Sequence, residues 1–200
     1  METMSNSRSR ASPRANSASE DRNPPLSTSL ESFADTQSER VLRKLIYSFY
    51  SLSAVVLRNR EHFGAYVGVT GPQFMLMTLV ADNPDSTVKH LAEQLSVSTA
   101  FVAVEIAKLV KKNIVERRPN EADGRSMLLN LTSRGRNLLR ESNILRRRTN
   151  DVMFQSLTLD RAKALQETIN VIVSDARRAL HELESPHLRG KRSPIADQSS

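Results

Sequence analysis

Cysteine and tryptophan are both absent from the 200 residues. Without cysteine the chain has no disulfides, no thiolate metal ligands and no thiol-based redox sensor. Aromatic residues make up only 4% of the chain and hydrophobic residues 38%. That is lean for a monomer that must bury one large core. The composition therefore favours a helical protein that completes its core against a second copy of itself.

Long apolar runs and catalytic motifs are also missing. No apolar segment approaches the roughly 20 residues that cross a bilayer, and no secretory signal is evident. We therefore expect a cytoplasmic location and no membrane partner. The four histidines are scattered, and no HExxH, Walker, GxGxxG or Ser/His/Asp pattern occurs. We predict no enzyme activity, no cofactor and no metal, and a metal-dependent regulator is disfavoured because no ligand spacing supports it.

The net charge of +7 is concentrated in one stretch. Between Lys108 and Arg140 there are nine Lys or Arg against three acidic residues, a balance of +6. Residues 1–37, by contrast, carry four Arg against five Asp or Glu. A clustered excess predicts a polyanionic partner more strongly than a diffuse one. On charge alone, a solvated basic face is the alternative.

Apolar periodicity divides the chain into tails, long helices and a compact middle. Residues 1–37 and 186–200 lack such periodicity and are predicted to be disordered tails. The ordered body, 38–185, opens with a long helix over 38–63 that Ser38 caps. Two further helical patterns close it, at 133–157 and 160–183.

The middle segment, 70–132, consists of short elements. Thr70 caps an almost wholly apolar helix. Two short helices then follow, joined by Ser96-Val97-Ser98 in a helix-turn-helix arrangement. Two strand-like runs flank the turn-rich stretch 119–124 and predict a β-hairpin. The predicted elements are helices 72–81, 88–95 and 99–112 and strands 114–118 and 127–131.

Residues 69–140 resemble the MarR family of bacterial regulators. The similar strings are VTGPQFMLMTL, TVKHLAEQLSVS and KLVKKNIVERRPNEADGRSMLLNLTSRG. The most specific part is the hairpin, where Asp123-x-Arg125 precedes Leu131-Thr132. The order of elements extends the likeness over about 38–183.

The resemblance implies a mainly α fold with a small β-hairpin wing. A winged helix-turn-helix lobe, 70–132, would stand on a helical dimerisation platform. That platform is made by helices 38–63 and 133–184, which interlock with those of a second chain. The implied function is a transcriptional regulator that binds a pseudo-palindromic operator in double-stranded DNA as a homodimer.

Candidate DNA contacts follow from the same resemblance. Helix 99–112 would enter the major groove, and Arg125 would enter the narrow minor groove, where the negative potential is concentrated. Asp123 would orient the wing by pairing with an arginine or backbone amides, although a simple turn residue is the alternative. Arg117 and Arg118 alternate along a strand, so only one faces DNA if the other faces the body. The candidates are Lys89, His90, Ser98, Thr99, Ala103, Lys108, Arg117, Arg118, Asp123 and Arg125.

The helix expected to contact bases departs from the family pattern. Relatives often carry a Thr-Arg pair where this chain has Ala103-Val104, and Glu105 stands where Leu is common. An alanine-rich face can touch thymine methyls but cannot form paired hydrogen bonds to guanine. Specificity would then depend on the flanking polar residues, the wing and DNA shape, or the target is AT-rich. The alternative function is a winged-helix protein-interaction module that has lost specific DNA binding.

Members of the family commonly release DNA when a small effector binds between the platform and the lobe. The effector is often an aromatic acid or its derivative. All three tyrosines fall within this region, and nearby cationic side chains would pair with a carboxylate or phosphate of an aromatic-acid or acyl-derivative effector. For Arg58 and Arg60 an exposed surface position is the alternative. Packing in the core is the alternative role for Phe74. The candidate effector-binding residues are Tyr50, Arg58, Arg60, His62, Tyr66 and Phe74.

Overall fold

The computed structural model describes residues 26–185. The predicted tail 186–200 and the first 25 residues of the other predicted tail lie outside this range. The described chain is mainly helical with one two-stranded hairpin, as predicted. Its elements are α1 (Thr36–Tyr66), α2 (Gly71–Asp82), α3 (Val88–Leu95), α4 (Thr99–Lys111), β1 (Val115–Pro119), β2 (Met127–Leu131), α5 (Ser133–Met153) and α6 (Leu159–Glu184).

The chain divides into two compact units between Val55 and Val56. In the first unit, the sequence predicts disorder up to residue 37 and a helix cap at Ser38, and the structure differs. Asp35 accepts hydrogen bonds from the amides at the start of α1, and Ser27 binds the buried carboxylate of Glu39. A short 3-10 turn, Glu31–Phe33, precedes the helix. These local polar contacts order residues 26–37. Because the segment has no apolar periodicity, the sequence pattern does not predict that order.

The second unit contains the hydrophobic core, which lies among α2, α3, α4 and the hairpin. The inner face of α2 meets β2, α4 packs against β1, and Leu138 and Leu139 of α5 pack against the cluster. α2 is apolar on nearly all sides and supplies four of the buried side chains. The core consists of Val69, Phe74, Leu76, Met77, Val80, Leu91, Ala92, Val102, Ile106, Leu109, Ile114, Val115, Leu129 and Leu131.

Side-chain caps begin the helices of this unit. Thr70 and Gln73 form a capping box at α2, as the sequence predicts. Thr87, Ser98, Thr132 and Thr158 cap α3, α4, α5 and α6, each by accepting a backbone amide three residues on. α5 ends at Met153 and α6 begins at Leu159, so both helices differ by a few residues from the predicted ranges 133–157 and 160–183.

The hairpin is an antiparallel pair in which Val115 lies opposite Leu131 and Pro119 opposite Met127. Ser86 forms a single bridge to Leu129 on the other edge of β2. Each strand therefore begins or ends in the core, while the connecting turn extends away from it. This arrangement places the turn as a projecting wing.

None of the helices within residues 26–185 is by itself long and apolar enough to cross a membrane. Taken as a pair, α1 and α2 meet the length and composition of a membrane-crossing segment, but the chain bends by 86° between them.

Gly135, in the first turn of α5, allows the helix to pass directly against the end of α4. A Cβ atom at this position would collide with the carbonyl oxygen of Ile114, a backbone atom. We expect Gly135→Ala to lower the free energy of unfolding by about 1–3 kcal/mol, the usual cost of overpacking a tight site. Urea denaturation measures this change.

Gly124→Ala is the matched control, because nothing lies within 4 Å of a Cβ at that wing position. Equal stabilities of the two variants would contradict the close approach at Gly135.

Candidate nucleic-acid interface

A cleft of about 530 Å³ separates the helix-turn-helix from the wing. Lys89 stands at its α3 side, Thr99 and Ala103 on α4, and Arg117 and Arg125 on the hairpin. Six of the ten predicted DNA contacts line this one cleft, with Asp123 as the sixth. The cleft thus brings three cationic side chains from separate elements around the exposed start of α4. Such an arrangement suits a phosphate backbone.

The wing turn is organised by two short polar side chains. Asp123 accepts the backbone amide of Arg125 through Oδ1 at 3.2 Å, and its carbonyl accepts the amide of Ser126 at 2.9 Å. Asn120 donates to the Ser126 hydroxyl at 2.9 Å and so closes the base of the turn. Asp123 therefore organises the turn through contacts that both predicted roles allow, and Arg125 is exposed at the tip.

Arg117 and Arg118 leave the strand on opposite sides. Arg117 lines the cleft, whereas Arg118 forms an ion pair with Asp85 at 2.6 Å. Asp85 also accepts a hydrogen bond from Asn130 at 2.6 Å. The Arg118 guanidinium and the Asn130 amide hold the pKa of Asp85 below its usual value of 3.8. Of the two candidate arginines, the structure brings Arg117 to the other predicted contacts and Arg118 to the body of the protein.

Three other predicted contacts lie outside the cleft. The hydroxyl of Ser98 is the cap of α4, where it accepts the amide of Phe101 at 3.2 Å. His90 is exposed on α3. Lys108 lies farther along α4, with its ammonium 2.6 Å from Glu105.

A second, smaller cavity of about 220 Å³ lies among α1, α2 and α5. Of the predicted effector residues it contains Arg60 and Phe74. Arg58 and His62 are exposed elsewhere on α1, and Tyr50 and Tyr66 are 68% and 62% exposed. Arg58, His62 and Tyr66 do not line this cavity, so the effector role of these residues and of Tyr50 stays a prediction.

The sequence prediction missed the α5 side of this cavity. The Arg146 guanidinium lies 5.8 Å from the centre of the Phe74 ring, and Asn150 and Met153 follow on the same helix. Arg60 has a buried Nε atom with no hydrogen-bond partner among the described residues. Two arginines, Arg60 and Arg146, therefore line a cavity whose other walls include Phe63 and Phe74. Residues 86 positions apart in sequence carry no local signal of such proximity.

No group of three or more His, Asp or Glu that would hold a metal ion occurs among residues 26–185.

The order of helices and the hairpin define a winged helix-turn-helix fold. The model of the MarR family matches residues 67–126, which cover the helix-turn-helix and most of the wing. The match confirms the resemblance to the MarR family that the sequence shows over this segment.

Curated transcriptional regulators are similar to this chain at low sequence identity. The HTH-type transcriptional regulator SarZ of Staphylococcus epidermidis is 25% identical over 96 residues, 48% of this chain and 65% of SarZ. The chain thus spans just under two thirds of the curated relatives it matches first.

Solved structures show the same fold. The transcriptional regulator BldR from Sulfolobus solfataricus has a TM-score of 0.56 at 20% identity, covering 66% of this chain and 94% of BldR. A mutant MarR from Escherichia coli, complexed with operator DNA, has a TM-score of 0.50 at 23% identity. The match covers 64% of this chain and 94% of the MarR chain. The predicted fold class, mainly α with a hairpin wing, is confirmed.

The ion pair of Arg118 with Asp85 makes stability depend on pH. Because the folded pKa of Asp85 is lowered, its contribution is present above the unfolded pKa and is lost as the pH falls through the folded pKa. We expect Asp85→Asn to be less stable than the wild type near neutral pH, and the difference to shrink below about pH 4. Thermal unfolding of both proteins across this range measures it.

Asn tolerates the left-handed backbone of residue 85, where φ is 62°, so the substitution tests the charge rather than the turn. A stability difference that stays constant down to acid pH would contradict the ion pair.

Proposed function

We propose that this protein is a sequence-specific DNA-binding transcriptional regulator that acts in the cytoplasm as a homodimer on a pseudo-palindromic operator. The observation that carries the proposal is the cleft between α4 and the wing, in which Lys89, Arg117 and Arg125 converge. The operator complex of the structurally similar E. coli protein supports the same use of the fold.

Contacts to DNA divide by residue type. The exposed start of α4, at Thr99 and Ala103, would face base edges in the major groove, since a helix fits that groove. Arg125 at the wing tip would enter the minor groove, where an arginine suits the narrow, strongly negative channel. Lys89 and Arg117 would bind the phosphates between them and fix the register of the lobe.

Dimerisation would cover the apolar surface of the long helices. No residue of α6 is buried, although it carries large apolar side chains along its length. α1 likewise exposes Val41, Leu45 and Leu52. Exposed apolar faces of this extent are typical of a subunit interface. Two lobes related by a two-fold axis then match half-sites about one helical turn apart.

The cavity between α1, α2 and α5 is the proposed effector site. Phe63 and Phe74, with ring centres 5.7 Å apart, provide an aromatic wall. Arg60 and Arg146 provide cations for a carboxylate. This chemistry suits a small aromatic acid. A ligand bound here would contact α2, and α2 packs directly against α4.

A protein-interaction module is the second candidate function. It is favoured by the apolar exposed face of the helix-turn-helix, where Val97, Phe101 and Val104 are 39%, 38% and 54% exposed. A module of this kind would bind duplex DNA without any preference for sequence.

DNA binding is tested by replacing Arg117 and Arg125 singly with Ala and measuring affinity for a duplex enriched from a randomised pool. Each variant should bind more weakly, and the slope of log affinity against log salt should fall by about 0.9 for each phosphate that the variant no longer neutralises. Fluorescence anisotropy at several salt concentrations measures both quantities.

Arg161→Ala, at the exposed start of α6, removes the same charge far from the cleft and should leave affinity and slope unchanged. Failure of the pool to enrich any sequence would favour the interaction module.

Effector binding is tested with benzoate and salicylate in a calorimetric titration. Arg146→Met should weaken binding by about 10-fold or more, because it removes a charged hydrogen-bond donor from the cavity. Arg147→Met is the matched control, since its side chain is exposed one residue farther along α5. Equal loss in both variants, or binding unchanged in Arg146→Met, would contradict the assignment.

A further inference from the structure

α4 carries a buried carboxylate on its inner face, among the apolar residues that hold it to the core. The side chain of Glu105 is only 11% exposed, and its neighbour Ile106 is fully buried. A carboxylate in such a place destabilises the fold unless charged or hydrogen-bonding groups compensate for the lost water. The partners of Glu105 therefore indicate what the residue does.

Two side chains compensate for the buried charge. The Lys108 ammonium lies 2.6 Å from Oε1 of Glu105, and the Gln73 amide donates to Oε2 at 2.9 Å. The same two groups, Lys108 first, hold the pKa of Glu105 below its usual value against the opposing effect of burial. Glu105 is therefore ionised at neutral pH.

Gln73 extends the contact to the start of α2. Its side-chain oxygen, Oε1, accepts hydrogen bonds from the backbone amide of Thr70 at 3.4 Å and from the ammonium of Lys112 at 3.4 Å. Lys112 also donates to the carbonyl of Gly68 at 3.1 Å. The carboxylate is thus held from the side of α2, and it is the buried member of its pair with Lys108.

Lys108 is the exposed member of the pair. Its side chain is 53% exposed and lies one helical turn beyond Val104 on the outer flank of α4. A free lysine is a flexible charge that binds phosphates of any sequence. An ammonium fixed by a buried carboxylate is instead a donor at one place, which acceptors on a base edge can match.

We propose that Glu105 is a positioning residue that determines DNA specificity through Lys108. Glu105 holds the Lys108 ammonium on the flank of α4. This ammonium is then not available to bind phosphates regardless of the DNA sequence. This inference rests on the proposed DNA-binding function and adds to it a determinant of sequence selectivity inside a helix whose outer face is otherwise plain.

The test compares binding of an enriched duplex and of a scrambled duplex of the same composition, each across a range of salt concentrations. Glu105→Gln keeps an oxygen for the Gln73 amide but releases Lys108. Affinity for the scrambled duplex should rise, with a salt slope steeper by up to about 0.9. Selectivity for the enriched duplex should fall about 10-fold, since the ammonium no longer meets the base edge in one fixed orientation.

A second substitution separates positioning from a merely structural role. Lys108→Met should lower selectivity while leaving affinity for the scrambled duplex nearly unchanged. In the Lys108→Met background, Glu105→Gln should have no further effect on either duplex, because the residue acts through Lys108. Glu141→Gln, an exposed position on α5, changes the net charge equally and should alter neither binding constant.

Three results would overturn the inference. The first is that Glu105→Gln weakens binding of both duplexes equally with a lowered melting temperature, which would show a structural role alone. The second is that its effect persists in the Lys108→Met background. The third is that Lys108→Met leaves selectivity intact, a readout that holds even if Glu105→Gln does not fold. Failure of the wild type to bind any duplex would instead overturn the proposed function, and this inference with it.

Discussion

The structure depends above all on the packing of α4 against α2, α3 and the hairpin. Val102, Ile106 and Leu109 are fully buried along one face of α4, and Leu129 of β2 closes the far side of the core. Close-packed contacts of this kind permit few alternative arrangements. The angle between α4 and the wing, and hence the width of the cleft, follows from them.

Charge is then distributed around this apolar frame. Basic residues that lie far apart in sequence converge in the cleft because the core holds α3, α4 and the hairpin together. Other basic residues are engaged by acidic partners, Arg118 by Asp85 and Lys108 by Glu105. The clustered positive charge therefore separates into exposed cations that line the cleft and cations held 2.6 Å from a carboxylate.

Much of the second unit could be predicted from the sequence, because its signals are local. Apolar periodicity, the Thr70 capping box and the hairpin turn each depend on residues a few positions apart. The start of α1 could not, since Ser27 and Glu39 meet through polar contacts that leave no periodic trace. The lining of the cavity between α1, α2 and α5 could not be predicted for a related reason. Neighbours on one helix, such as Arg58 and Arg60, need not face the same cavity.

The sequence by itself determined the order of elements, the winged helix-turn-helix class and the wing residues Asp123 and Arg125. These depend on spacing along the chain, which short-range sterics and hydrogen bonding translate directly into local structure. Only the tertiary structure decided that Arg117 rather than Arg118 lines the cleft, and that Arg146 completes the cavity beside Phe74. Such choices depend on which elements pack together, because packing brings residues from distant parts of the chain into contact.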